Sequence, residues 1–145
     1  MNEYNNIIPG LHRIEHIGIA VKNADASIFL FNNLLNQQPY KTEEVISEHV
    51  KTIFYKLGST KIELLEPTAP ESPIAKFIEK KGEGIHHIAF AVNDITKEME
   101  RLKNLGFTFI NEQPKIGADN KIIAFLHPKS TNGVLVELCM ERKEI

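Results

Sequence analysis

The chain carries one phrase twice. "IEHIGIAVKN" begins at Ile14 and "IHHIAFAVND" begins at Ile85, so His87 follows His16 by 71 residues. An internal repeat of this length restricts the fold to two copies of one supersecondary unit packed together. Each copy opens with a strand of β-branched and apolar residues. Each strand then runs into "KNAD" or "ND", where Asn or Asp can cap a helix N-terminus. The first helix is expected over about Ala26–Leu35, with Phe29, Leu30 and Leu34 as its apolar face. In the second, Ile95, Met99, Leu102 and Leu105 fall on one stripe, and Gly106 stands where a C-terminal cap belongs.

Three strand-like stretches follow each helix. They are Pro39–Ser47, Val50–Gly58 and Lys61–Glu66 in the first half, and Phe107–Gln113, Ile122–His127 and Val134–Cys139 in the second. Each half is therefore βαβββ. The Pro-rich "PTAPESP" reads as a connector, with a short helix Ile74–Lys80 leading into the second half. The expected organisation is one α+β domain over 1–145, with module 1 at about 14–66, a linker at about 67–82 and module 2 at about 83–140. Four strands and a helix bury little surface alone. The two sheets should join as one curved mixed sheet, with helices outside and a concave cleft inside.

Strand alternation predicts what faces that cleft. His16 shares a face with Gly18 and Ala20, and His87 with Ala89 and Ala91. Small neighbours leave a hollow beside each histidine. The opposite faces carry Ile17, Ile19 and Val21 in one copy, and Ile88, Phe90 and Val92 in the other; His86 is expected there too, as a structural residue. The last strand of each half adds a second coincidence. "KIELLEP" sets Glu63 between apolar neighbours, and "VLVELCM" does the same for Glu137. A carboxylate inside an apolar strand is costly unless its charge is compensated. Taken singly, each residue reads as ordinary surface or core; matched in a repeat, His16, Glu63, His87 and Glu137 read as the donors of one divalent cation. Two imidazoles and two carboxylates suit Co²⁺, Mn²⁺, Zn²⁺ or Ni²⁺, leaving positions open for water or a bidentate substrate.

Composition narrows the field. The net charge is −2, with acids and bases scattered, so nothing marks a nucleic-acid or membrane surface. Lys41, Lys51, Lys56 and Lys61 read as solvated surface. Cys139 is the single cysteine, excludes an intrachain disulfide, and reads as a buried inert thiol. "MNEYNNIIPG" lacks the features of a signal peptide, and no apolar run has transmembrane length. A reducing, cytoplasmic compartment is expected.

These residues resemble a known family. The paired βαβββ modules with His and Glu donors are similar to the vicinal oxygen chelate superfamily, and within it to the methylmalonyl-CoA epimerases. The likeness runs in order through "IEHIGIAV", "SEH", "KIELLEP", "ESPIAKFI", "GIHHIAFAV", "KIGADNKIIAFLHPK" and "GVLVEL". It implies metal-dependent epimerisation of (S)- and (R)-methylmalonyl-CoA through an enolate. It places His16, His87 and Glu137 as metal ligands and Glu63 at a position that is Gln or Glu in the family. It implies Glu48 as a catalytic base, with Glu137, or a water beside it, as the second acid/base group. It also implies a small-molecule acyl-CoA partner, Co²⁺ ahead of the other ions, and a homodimer. Without the resemblance, Glu48 is an ordinary polar turn residue. A glyoxalase I-like lyase, an extradiol dioxygenase and a non-catalytic binding protein are the rivals on the same scaffold. No glutathione-binding group is evident, and Glu63 argues against a two-His, one-carboxylate iron site.

Overall fold

The computed structural model describes residues 10–142; the N-terminal segment read above for a signal peptide lies, up to residue 9, outside the described residues. Eleven elements follow in chain order: β1 (Arg13–Ala20), α1 (Ala24–Leu35), β2 (Lys41–Val45), β3 (Val50–Leu57), β4 (Thr60–Pro67), α2 (Pro73–Lys81), β5 (Gly84–Ala91), α3 (Ile95–Asn104), β6 (Lys115–Ile116), β7 (Lys121–Leu126) and β8 (Val136–Glu141). All eight strands form one mixed sheet in the order β2-β3-β4-β1-β5-β8-β7-β6. The two halves meet at the antiparallel β1–β5 seam. On either side of it β1 pairs parallel with β4, and β5 parallel with β8. The expected α+β architecture of two joined modules is what forms.

The sheet curls. β2 and β6 are its two ends, yet Lys41 Nζ at the start of β2 lies 3.0 Å from Asp119 Oδ1 in the β6–β7 turn. Lys115 on β6 lies 3.0 Å from Glu48, three residues beyond β2. Asp119 and Asn120 both take left-handed backbone conformations, which Asp and Asn tolerate best among residues other than glycine. The sheet thus becomes a half-barrel whose open side is crossed by ion pairs.

Helices α1 and α3 pack on the convex face. Their N-caps are those the sequence predicts: Asn23 Oδ1 accepts from Ala26 N at 3.0 Å, and Asp94 Oδ1 from Lys97 N at 3.1 Å. Ile95, Met99 and Leu102 of α3 join Val92, Leu126, Val136 and Leu138 in one core cluster. Leu105 does not; it is the C-cap and is 65% exposed, while Gly106 takes φ +97° just beyond it. The predicted face of α1 is also wrong. Phe29, Leu30 and Leu34 are 74, 56 and 68% exposed. Ala24, Ile28, Phe31 and Leu35 pack instead against Val21, Ile53, Tyr55 and Leu64. The run "SIFLF" offers apolar residues at several helical phases, and packing on the sheet selects the one that carries Ile28, Phe31 and Leu35.

A further departure lies at Phe107–Gln113, which is not a strand. Phe109 makes one isolated bridge to Leu126, and Asn111 Oδ1 takes the Phe125 N–H at 2.9 Å. That side chain replaces a ladder bond, and the second strand of module 2 is only Lys115–Ile116. In module 1, the stretch expected to reach Ser47 ends at Val45 and turns through a 3₁₀ segment, Ile46–Glu48. Helix α2 folds under one end of the cleft, where Ile74, Phe77 and Ile78 pack on Ala20, Val50 and Leu65. No helix among the described residues is long and apolar enough to cross a membrane.

Two changes test this packing. Leu138→Ala removes a fully buried side chain from the α3 cluster and should cost about 2–5 kcal/mol in chemical denaturation. Gly18→Val should cost about 1–3 kcal/mol by overpacking, because a Cβ there would lie 2.3 Å from His87 Cε1.

Candidate functional site

The concave face holds a cavity of about 300 Å³. Four of the sequence-predicted residues lie buried at its floor: His16 from β1, Glu63 from β4, His87 from β5 and Glu137 from β8. They come from the four central strands, and the β1–β5 seam sets the two histidines together. Gly18 pairs with His87 in register and has no Cβ, so the His87 ring lies directly over its backbone. Phe125 of β7 meets the other side of that ring edge-on, with centroids 5.7 Å apart.

His16, His87 and Glu137 form a tight group, each offering one donor atom within 4.8 Å of the others; Glu15, His16 and Cys139 meet the same limit. His16 Nε2 and His87 Nε2 are 2.9 Å apart. Glu137 Oε2 is 3.2 Å from His16 Nε2, and Glu137 Oε1 is 3.8 Å from His87 Nε2. Glu63 joins the cluster from the other side: its Oε2 lies 2.9 Å from His16 Nδ1. It is brought into the same buried site but not into that triangle.

Glu48 lies elsewhere. It lines the cavity from the 3₁₀ turn after β2, at the rim, with its carboxylate on Lys115 Nζ at 3.0 Å. The three lysines of "KIGADNKIIAFLHPK" have separate fates. Lys115 pairs with Glu48, Lys121 is buried against Glu141, and Lys129 is exposed.

The sequence reading missed two neighbours of the histidines. Glu15 is buried at 2% exposure, and its Oε1 lies 3.2 Å from His16 Nδ1. His86, expected on the helix-facing side, instead lines the cavity, with its Nδ1 2.9 Å from His87 Nδ1. Strict alternation fails at both because each sits at a register shift in the β1–β5 pairing. Lys41 and Lys61 are likewise not independent surface charges; both reach Asp119, at 3.0 and 2.6 Å. No feature of the linear sequence marks that convergence.

The electrostatics of the floor are those of a site short of positive charge. Burial pushes the Glu137 carboxyl up, and His16 only partly offsets this. Burial also works against a charged His16, but Glu63, Glu137 and Glu15 outweigh it and hold that imidazole well above its ordinary pKa. His87 is driven well below, by burial first and then by the neighbouring His16 and His86. Glu15 is drawn down to about 2: burial opposes this, and His16 and Lys61 overcome it. Cys139 is buried as expected, and burial pushes its free thiol up.

A divalent cation fits this donor set. Two imidazole Nε2 atoms face one another beside a carboxylate, and Glu137 Oε2 is buried 3.2 Å from His16 Nε2 without hydrogen-bond geometry. Protonating His16 relieves the excess negative charge only in part. A cation bound by His16, His87 and Glu137 satisfies all three donors together.

Comparison with known proteins agrees with the geometry. Residues 15–125 match the profile of the Glyoxalase/Bleomycin resistance protein/Dioxygenase superfamily. The chain is 43% identical over 128 residues to the ethylmalonyl-CoA/methylmalonyl-CoA epimerase of Cereibacter sphaeroides, covering 87% of this chain and 96% of that one. It is 40% identical over 129 residues to the mitochondrial methylmalonyl-CoA epimerase of Homo sapiens, covering 88% and 73%. A solved structure of a Streptomyces coelicolor methylmalonyl-CoA epimerase variant, in complex with 2-nitronate-propionyl-CoA, superimposes with a TM-score of 0.88 at 33% identity, covering 92% of this chain and all of that one. The half-barrel, its paired histidines and these relatives together place the chain in the methylmalonyl-CoA epimerase family of the glyoxalase superfamily.

Proposed function

We propose that the protein interconverts (S)- and (R)-methylmalonyl-CoA by proton transfer at the α-carbon. The observation that carries this reading is the buried His16–His87–Glu137 group beneath a cavity whose rim bears a further carboxylate, Glu48. Relatives named as methylmalonyl-CoA epimerases support the substrate assignment.

The reaction needs a weak carbon acid deprotonated on one face of a planar centre and reprotonated on the other. His16, His87 and Glu137 would hold a divalent cation, with Glu63 available beside them as a fourth donor; Co²⁺ is the first choice, and Mn²⁺, Zn²⁺ and Ni²⁺ suit the same donors. Such an ion would supply Lewis-acid polarisation of the thioester carbonyl and positive charge as the α-proton leaves. Glu48 is the carboxylate lining the cavity outside that donor set, which suits it to act as base on one face. Glu137, or a water beside it, serves the other face. Val50, Leu65 and Ile74 line the cavity with apolar surface and keep solvent from the reacting carbon.

Two features bear on assembly and compartment. The exposed strip Phe29, Leu30 and Leu34 on α1 is apolar surface of the kind two copies bury in a homodimer. The buried free thiol of Cys139 suits a reducing, cytoplasmic compartment.

The test is α-proton exchange of methylmalonyl-CoA in D₂O, followed by NMR with Co²⁺ and with EDTA. Exchange should be rapid with metal and fall to background with chelator. No exchange from folded, Co²⁺-loaded protein would overturn the reading and shift it to another substrate on the same scaffold. Glu48→Gln should slow exchange by about 100-fold or more while Co²⁺ affinity stays at the wild-type value. An active Glu48→Gln enzyme removes that residue from the proton path. Glu137→Gln should lower both exchange and Co²⁺ affinity, since it removes a charge from the donor group.

A further inference from the structure

We propose that Glu15 and His86 are positioning residues for the two histidines, and that the irregularities in the β1–β5 seam place them there. This rests on the metal reading of His16 and His87 given above.

The seam contains two register shifts. On β1, Ile14 pairs with Phe90 and His16 with Ala89, so Glu15 has no partner of its own. On β5, His87 pairs with Gly18 and Ile85 with Ile19, which leaves His86 unpartnered in the same way. Glu15 and His86 are equivalent residues of the repeat, separated by the same 71 positions as His16 and His87. A bulge rotates one residue out of the alternation, so two consecutive side chains reach the same face. Without it, a carboxylate and an imidazole would project into the apolar layer under the helices. With it, each stands beside the histidine that follows it.

The contacts are equivalent too. Glu15 Oε1 lies 3.2 Å from His16 Nδ1, and His86 Nδ1 lies 2.9 Å from His87 Nδ1. In both rings Nδ1 is occupied and Nε2 is the atom turned toward the other histidine. A neutral imidazole has one N–H, and the nitrogen that carries it cannot bind a metal. An acceptor at Nδ1 fixes the N–H there and leaves the Nε2 lone pair for the ion. Glu63 also approaches His16 Nδ1, but as a donor to the cation it would leave that nitrogen to Glu15.

The positioning residues are themselves held. Glu15 lies 3.4 Å from Lys61 Nζ and 3.5 Å from Arg13, and Lys61 is tied to Asp119. The His86 ring packs edge-on against Phe77 of α2, with centroids 5.0 Å apart. One acceptor is a carboxylate and the other a neutral ring. A carboxylate raises the basicity of its imidazole more, so His16 should depend on its neighbour more than His87 does.

The experiment uses the full chain with Zn²⁺ or Co²⁺ as the probe. Long-range ¹H–¹⁵N NMR of the Zn²⁺-loaded wild type should show Nε2 bound to metal and Nδ1 protonated in both His16 and His87. Glu15→Ala should weaken Co²⁺ binding by about 10- to 100-fold and disturb the His16 ring assignment alone. His86→Ala should do the same to His87, with a smaller loss. Glu15→Gln and His86→Asn keep an acceptor near Nδ1 and should restore most of the affinity, which loss by misfolding would not do. Ala variants that bind Co²⁺ as tightly as wild type with unchanged ring assignments overturn the proposal. A folded wild type that takes up neither ion overturns the metal reading and this inference with it.

Discussion

Three carboxylates, Glu15, Glu63 and Glu137, are buried around a single imidazole. Their mutual repulsion is the constraint on which the rest of the half-barrel is organised. Burying even one uncompensated carboxylate is expensive, and several cannot remain ionised together without nearby positive charge. Part of that charge comes from Lys61, which pairs with Glu15 and is bound to Asp119. Part comes from His16, whose proton is retained despite burial. The remainder is what a divalent cation supplies in the proposed reaction. The same site would then exchange a proton on His16 for a metal ion, so that metal affinity falls as the solution becomes more acidic.

The repeat explains why the site forms where it does. A duplicated unit that joins edge to edge through its first strand brings equivalent positions together across the seam. His16 and His87 meet because both lie on seam strands. Glu63 and Glu137 flank them because β4 and β8 are the parallel neighbours of those strands. The symmetry is not complete. Glu63 stands on the Nδ1 side of His16, whereas Glu137 contacts Nε2. One copy carries Glu before its histidine and the other carries His. Those differences make a catalytic floor with distinct sides, as a reaction that moves a proton from one face of a carbon to the other requires.

What the sequence made legible and what it hid divide along physical lines. His16, His87, Glu63 and Glu137 were readable because alternation holds through most of each strand and the repeat supplies an internal control. Glu15 and His86 were not, because a bulge is a property of strand pairing and leaves no mark on one strand. The α1 face is hidden in the sequence because "SIFLF" is apolar at several phases, and only the packing of Ile28, Phe31 and Leu35 on the sheet selects among them. The stretch after α3 has the pattern of a strand because Phe107 and Phe109 alternate correctly. Asn111 then takes over a ladder position with its side chain, and the pairing is lost. The meeting of Lys41, Lys61 and Asp119 depends on closure of the sheet, which no local pattern encodes.

That closure also bears on how a bulky thioester reaches the floor. Two sets of ion pairs cross the open side, and they differ in strength. Lys61 and Asp119 are largely shielded from solvent at 15 and 20% side-chain exposure, and Glu15 braces the lysine beneath. Lys115 and Glu48 are exposed at 39 and 43%, where an ion pair is worth roughly 0–1 kcal/mol. The β6–β7 turn is therefore anchored firmly at Asp119 and only lightly at Lys115. On the proposed reading, substrate entering beside Glu48 would break the weak contact and leave the strong one intact. Glu48, the base of that reading, would thereby be freed while the charge network that supports Glu15 and His16 stays in place.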